Sequence, residues 1–361
     1  MNRVAVVKSA SNCAREGLRR ALDAIGYAPE REEIFIKPNL VRPFVPNRGV
    51  TTHPAIVEAF VELFPDRKFV VGDGTPAPKD YEKILRVTGF RALARRHRNV
   101  RLVSLDEEPR EKIGDCELPS LLRTHEYINI AKMKTHSQTY VSLSVKNNKG
   151  LLALKDKMAF HRRGLHGPVE QMGEAIRPAL NIVEGFVALE GNGPSFFGKP
   201  RRADALVAGR EAFAVDAVCC KIMGLDIRKA AHLRPDAQYE IVGDGVEAVR
   251  TQFLPPNDNW SIGRIRIHFD EHCCSVCLSN LPSLKSKLLR RPLKLAKLLK
   301  YAIKGDLVLV GGGSVPSDIV GKRVIFLGEC GRKCARAAGI DEEHTVAGGC
   351  PFDPDEFIKI L

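Results

Sequence analysis

Hydrophobic positions in the first two-thirds of the chain come in short runs separated by stretches with helical spacing. RVAVVK (3–8) predicts a strand, followed by a helix from about Cys13 to Ala24 that ends near Gly26. EIFIKPN (33–39) predicts a second strand, stopped by Pro38. Thr52 stands where it would cap the helix PAIVEAFVELF, whose Pro54 suits a first turn. KFVVGDG (68–74) predicts a third strand ending on the glycine-bracketed Asp73, and DYEKILRVTGF begins another helix. VRLVSLD (100–106) and HEYINIAK (125–132) are further strands. Short apolar strands separated by helices predict an α/β fold with a mostly parallel sheet flanked by helices. No internal repeat or low-complexity linker interrupts the pattern. TQFLPPNDNWSIG gathers Pro, Asn and Gly within 245–265. It divides an α/β core, 1–250, from a smaller C-terminal cysteine-rich metal-cluster module, 251–361.

The alternation changes character in the centre. In an extended chain Lys132, Lys134 and His136 project to one side. Continued as a strand, Ser142, Ser144 and Lys146 share one face, and Val141, Leu143 and Val145 the other. Asn147, Asn148 and Gly150 then form a turn whose amides can meet oxygen atoms. So many lysines, with histidines nearby, suit an anionic ligand, a carboxylate or a phosphate. Any one of these lysines alone would read as a solvated hairpin residue. His161 and His166 are of a type that binds metals, though a loop histidine more often simply meets solvent. GPSFFGK (193–199) fits the G-x4-G-K core of a phosphate loop, but Pro200 stands where that loop needs a Ser or Thr hydroxyl. That excludes a P-loop nucleotide triphosphatase. GGGS (311–314) is a weak phosphate-loop pattern, and no G-x-G-x-x-G occurs.

Composition narrows the class. The chain has 361 residues, 44% apolar and 27% charged, which excludes a disordered chain, a collagen-like fibre and a coiled coil. No apolar run reaches the ~18 residues of a spanning helix, and the first twenty residues lack a secretory signal, so a cytoplasmic location is expected. The net charge is +13, yet residues 281–305 carry eight Lys or Arg and no acid. Within them Lys294, Lys297, Lys300 and Lys304 set a basic stripe, with Leu295, Leu298, Leu299 and Ala302 mostly on another face. This helix suits an acidic redox partner such as a ferredoxin, a peripheral contact with anionic lipid, or plain solvation. Nucleic acid is disfavoured, because only Tyr301 interleaves the cations.

Ten cysteines are many for an intracellular chain, and six lie in the last 89 residues: Cys273, Cys274, Cys277, Cys330, Cys334 and Cys350. Cys274-x-x-Cys277 places two thiolates on one tight turn. GECGRKC (328–334) and GGCPF (348–352) add glycine-flanked cysteines, the last followed by proline as in ferredoxin-type sites. One 4Fe–4S cluster on Cys274, Cys277, Cys330 and Cys350 is the leading expectation, with Cys273 and Cys334 as neighbours. Zinc is the runner-up, since a zinc site would more commonly show a second CxxC or a Cys/His pair. Cys219 and Cys220 sit in an apolar helical stretch and read as buried small hydrophobes; the isolated Cys13 and Cys116 read likewise.

The motifs IKPNLV (36–41), TTHPAIVEA (51–59), VVGDG (70–74), INIAKMKTH (128–136), SVKNNKGL (144–151), KDKMAFH, EGNGP (190–194) and FAVDAV (213–218) occur in this order. In them the chain resembles the domain-of-unknown-function family 362, whose members are often iron–sulfur proteins; its CxxC, GEC and GGCP elements resemble the cysteine-bearing tail of some members. Glu184 stands where the resemblance implies Asp, and GGCPF lacks a second proline; neither removes a ligand. The resemblance implies that Lys37, Asn39, Asp73, Lys132, Lys134, His136, Lys146, Asn147, His161, Glu190 and Asp216 line the site. Of these, Lys132, Lys134, His136, Lys146, His161 and Asp216 are the expected catalytic groups. Lys37, Asn39, Asp73, Asn147 and Glu190 are the expected ligand-binding ones. Mixed cations and carboxylates suit proton transfer or metal-assisted chemistry. The expected function is an iron–sulfur oxidoreductase or electron-transfer component acting on an anionic small molecule or a protein partner. The alternatives are a non-redox isomerase or racemase of hydroxy acids, and a protein that delivers a cluster or metal to a client.

Overall fold

The computed structural model describes residues 2–75, 78–113, 116–162, 164–257, 259–269, 275–317 and 319–361. The chain divides into two compact units, Met1–Pro256 and Asn257–Leu361. The strands of the first are β1 (Asn2–Lys8), β2 (Glu33–Pro38), β3 (Lys68–Asp73), β4 (Val100–Ser104), β5 (Arg110–Ile113), β6 (Cys116–Pro119), β7 (Glu126–His136), β8 (Tyr140–Ser142), β9 (Leu180–Asn192), β10 (Phe197–Gly209) and β11 (Tyr239–Gly243). Its helices are α1 (Ala14–Ile25), α2 (Pro54–Leu63), α3 (Tyr81–Val87), α4 (Phe90–Arg96), α5 (Leu121–Thr124), α6 (Ser144–Asn147), α7 (Leu154–Arg162), α8 (His166–Ala175) and α9 (Ala212–Met223).

Nine strands form one sheet in the order β11-β1-β10-β9-β7-β2-β3-β4, with β8 paired to β7 off this path. β9, β7, β2, β3 and β4 run parallel, whereas β10 is antiparallel to both of its neighbours. The sheet is therefore mostly parallel and covered by helices on both faces, the arrangement that alternating apolar runs require. One core holds Ile34, Ile36, Ile128 and Ile130 against α1 to α4. The other holds Phe35, Tyr127, Ala131 and Met133 against α8 and α9. Alternation along β7 thus feeds both cores. Gly26 ends α1 in the left-handed conformation, as its sequence position predicts.

Two local readings are corrected. Residues 144–147 are the short helix α6 and not a continuation of the strand, so Ser144 and Lys146 do not share a strand face with Ser142. The cause is tertiary: Asp216 of α9 accepts from the backbone amides of Ser144 (2.8 Å) and Val145 (2.9 Å). Those are first-turn donors with no partner inside the helix. Thr52 does not cap α2; His53 does, accepting from Ala55 N. The buried Thr52 hydroxyl instead ties Asn39 N to Ile130 O, across the gap between β2 and β7.

The second unit contains β12 (Asn259–Ile262), β13 (Ile265–Phe269), α10 (Ser275–Leu288), α11 (Pro292–Lys304), β14 (Leu307–Gly311), β15 (Arg323–Leu327), α12 (Gly328–Ala337), β16 (Val346–Ala347) and α13 (Pro354–Ile360). Its five strands run in chain order, parallel from β13 to β16. Cys334 and Ala335 of α12 pack with Val308, Val310 and Phe326 to form its core. No described helix is long and apolar enough to cross a membrane.

Two buried backbone amides rely on the Asp216 carboxylate. Asp216→Ala is expected to lower unfolding free energy by about 3 kcal/mol, since each buried donor left unpaired costs ~1–3 kcal/mol. Asp216→Asn keeps one acceptor oxygen and should lose less. Urea denaturation of both variants checks this; equal stability of Asp216→Ala and the unmodified protein would refute it.

Candidate functional site

The carboxyl-terminal ends of β2, β3, β7 and β9 collect an unusual number of buried charges. Lys37, Lys132, Lys134, Lys146 and Lys157 are all less than a tenth exposed. Lys37 Nζ lies 2.8 Å from Asp73 Oδ1, and Asp73 Oδ2 accepts from Leu40 N at 2.7 Å. Lys132 Nζ lies 2.6 Å from Glu184, which also accepts from His53 N at 2.7 Å and from Phe186 N at 3.2 Å. Gly150 closes over the first pair. A Cβ there would strike Asp73 Oδ1 and come within 2.6 Å of Lys37 Nζ, so only glycine lets the backbone approach.

The expected site residues fall on both faces of the sheet. Lys37 and Asn129 are cross-strand partners on the α8–α9 side. Lys132 and Lys134 share the parity of Ile128 and Ile130 and so lie on the other side. The two groups meet where β2 ends. Beyond Pro38, Asn39 accepts from Lys134 Nζ at 2.6 Å and donates to Asn147 Oδ1 at 3.1 Å. Asn147 in turn donates to Asn129 at 2.8 Å. Asn39 is thus a polar bridge around the strand end.

Among the described residues Lys134 has no carboxylate partner in hydrogen-bond reach; its other acceptor is Val50 O at 3.1 Å. Burial, reinforced by Lys132 and Lys37 and opposed by Asp73, lowers its pKa to about 7. Lys146 Nζ donates to Thr139 Oγ1 at 2.7 Å. Burial, then Lys149 and Lys134, pull its pKa well down. His136 Nδ1 accepts from Gln138 N (3.1 Å), which leaves its proton on Nε2. Thr139 joins His136 to Lys146, since its amide faces His136 Nδ1 at 3.4 Å. These groups can therefore hold an anion when protonated and take up a proton when neutral.

Other expected residues stand apart. Glu190 accepts from Leu254 N at 3.1 Å, and Asp216 is fully buried on the α6 amides, with burial pushing its pKa up to about 8. The His161 side chain lies outside the described residues. Lys157, 3.7 Å from Asp106 and with no hydrogen-bond partner among the described residues, joins the buried charges of the site, as does Glu184; the sequence motifs assign neither to the site. A single carboxylate inside the apolar run LNIVEGF was the available signal, because a buried charge needs a partner. A cavity of about 710 Å³, with Arg177, Arg210, Arg234, Glu174 and Glu211 in its wall, lies where β1 and β9 begin. None of the expected site residues lines it.

A profile of the family described as Domain of unknown function (DUF362) matches residues 34–221. The chain belongs to the DUF362 family. Lys37, Lys132, Lys134, Lys146 and Lys157 lie inside the matched span, as do Asn39, Asp73, Asn147, Glu184 and Asp216. A relative, the thylakoid-associated protein sll1697 of Synechocystis sp., is 26% identical over 306 residues, covering 76% of this chain and 91% of its own.

In the second unit of this DUF362 protein, Cys277 is buried, Cys330 is half-buried and Cys350 is exposed; Cys273 and Cys274 lie outside the described residues. Gly328 has φ +73°, and a Cβ on it would sit 2.9 Å from Cys277 Sγ and 3.2 Å from Gly349 O. Glu329 N donates to Gly349 O at 3.1 Å. The turns leading to Cys330 and Cys350 therefore meet beside the Cys277 thiol. Among the described residues, no three cysteine sulfurs lie within 4.8 Å of one another.

Two outcomes follow from the lysine chemistry. Lys132→Met is expected to cost about 3–5 kcal/mol, as removal of one partner from a buried pair does. Adding Glu184→Gln should recover part of it, because the stranded charge goes while an oxygen remains for His53 N; no recovery on urea denaturation would contradict the pair's role. For Lys134, the folded state binds fewer protons than the unfolded one between its folded pKa of about 7 and its ordinary 10.5. Stability should therefore rise with pH across that window, and this component should flatten in Lys134→Met. Thermal midpoints from pH 7 to 10 measure it.

Proposed function

We propose that this DUF362 protein is a cytoplasmic iron–sulfur oxidoreductase whose α/β unit holds a small anionic molecule. The observation that carries the ligand part is the pair of buried amines, Lys134 and Lys146, neither facing a carboxylate at hydrogen-bond distance among the described residues. A carboxylate or phosphate is the partner their protonated forms lack. Asn39 and Asn147 fix its orientation, and Lys134, with a pKa of about 7, gains or loses a proton at neutral pH. His136 is held through Nδ1 beside Thr139, whose hydroxyl also accepts from Lys146 Nζ.

The reading of the C-terminal unit rests on its donor chemistry and on the meeting of the Gly328 and Gly349 turns at Cys277. Cys274, Cys277, Cys330 and Cys350 would hold a 4Fe–4S cluster, which when bound supplies single-electron transfer. Zinc on the same thiolates is the competing occupant. A ferredoxin-like acidic protein is the partner that exchanges those electrons.

A second reading, a non-redox isomerase or racemase of hydroxy acids, is favoured by one feature: an amine with a pKa near neutrality is suited to proton transfer. Iron and sulfide analysis with electron paramagnetic resonance on anaerobically isolated protein separates the two. Iron and sulfide in equal amount, with a signal lost in Cys277→Ser, is expected. Stoichiometric zinc without sulfide would overturn the cluster, and interconversion of hydroxy-acid enantiomers by iron-free protein would establish the isomerase.

A further inference from the structure

The basic stretch 281–305 resolves into two kinds of cation. Lys287 and Arg291 pair with Asp355, and Lys294 donates to Lys359 O at 3.1 Å. These three tie α10 and α11 to α13. The side chains of Lys297, Lys300 and Lys304 make no hydrogen bond or ion pair among the described residues.

Helix α11 has no fully buried residue. Leu295, Leu298, Tyr301 and Ala302 are half-buried and form its inner face. At 100° per residue, Leu299, Ile303 and Ala296 lie side by side on the outer face, and Lys300, Leu293, Lys304 and Lys297 continue the same arc. Leu293 is 87% exposed, Ile303 72% and Leu299 54%, and Leu289 just before the helix is 63% exposed. Leaving such side chains in water forgoes the free energy that burying them would contribute. Solvation of a lysine face needs no leucines. An acidic protein would answer the lysines but gives no reason for isoleucine and leucine to stand among them. Apolar and cationic groups interleaved on one exposed helical arc match a surface that presents anions above hydrocarbon. With 13 residues the helix is about 20 Å long, so it can lie in such a surface and not cross it.

We propose that α11 docks by its outer face on a bilayer of anionic phospholipid, with Leu293, Leu299 and Ile303 entering the headgroup boundary and Lys297, Lys300 and Lys304 meeting phosphates. This is independent of the chemistry assigned to the α/β unit.

Sedimentation of the full chain with phosphatidylglycerol-containing vesicles, and with pure phosphatidylcholine vesicles, tests it. Binding to the first, weak binding to the second and loss at high salt are expected. A lysine near an anionic surface contributes about fivefold, so Lys297→Gln/Lys300→Gln/Lys304→Gln should weaken partitioning about 100-fold. Leu293→Ser/Leu299→Ser/Ile303→Ser should also lose binding, with an unchanged thermal midpoint showing that the fold persists. Equal binding to both vesicle types, or no binding to either, would overturn the proposal. So would undiminished vesicle binding by the Leu/Ile variant, because the face would then be only electrostatic and suited to an acidic protein.

Discussion

Lys37, Lys132, Lys134, Lys146 and Lys157 are packed out of water around the carboxyl-terminal ends of one sheet, and the cost of desolvating them governs what surrounds them. Three stand beside carboxylates: Lys157 lies 3.7 Å from Asp106, and at hydrogen-bond distance Lys37 meets Asp73 and Lys132 meets Glu184. Asp73 and Glu184 also accept the backbone amides of Leu40 and His53, which begin the loop after β2 and the entry to α2. The ion pairs therefore shape the backbone at the site. Lys134 and Lys146 answer the cost differently, by a lowered pKa and neutral oxygen acceptors. The site thus separates amines committed to structure from amines left for chemistry.

The placement follows from the topology of a parallel sheet. Strand ends on one edge of the sheet bring together residues far apart in sequence, and the crevice outside those carboxyl ends is where such folds bind ligands. Here β2 stops two strands' width from β9 while β7 runs on to His136. That mismatch lets Asn39 pass around the end of β2 and join groups from opposite faces. A longer β2 would keep them apart.

The two units differ in how readily the sequence discloses them. Helix α1, its glycine stop and the strands β1, β2 and β3 were legible because apolar spacing and local termination suffice for them. Helix α6 was not. Val141, Leu143 and Val145 alternate as in a strand, and all three are buried. What bends the chain at Ser144 is a carboxylate 72 residues away, and no local pattern contains it. The division of cations around α11 was equally hidden, because Asp355 lies on another helix.

The alternation of strands and helices, the confinement of excess charge to 281–305 and the set of polar residues bearing the family's motifs are all readable along the chain. These depend on residue type and short-range spacing, which the chain carries directly. Tertiary structure decided which lysine meets which carboxylate, that Asp216 holds a backbone turn, and that Leu293 and Ile303 stand outward. Each of these depends on strand order and on what packs across the sheet. Lys132 and Glu184, 52 residues apart, become partners only because β7 and β9 are neighbours in register.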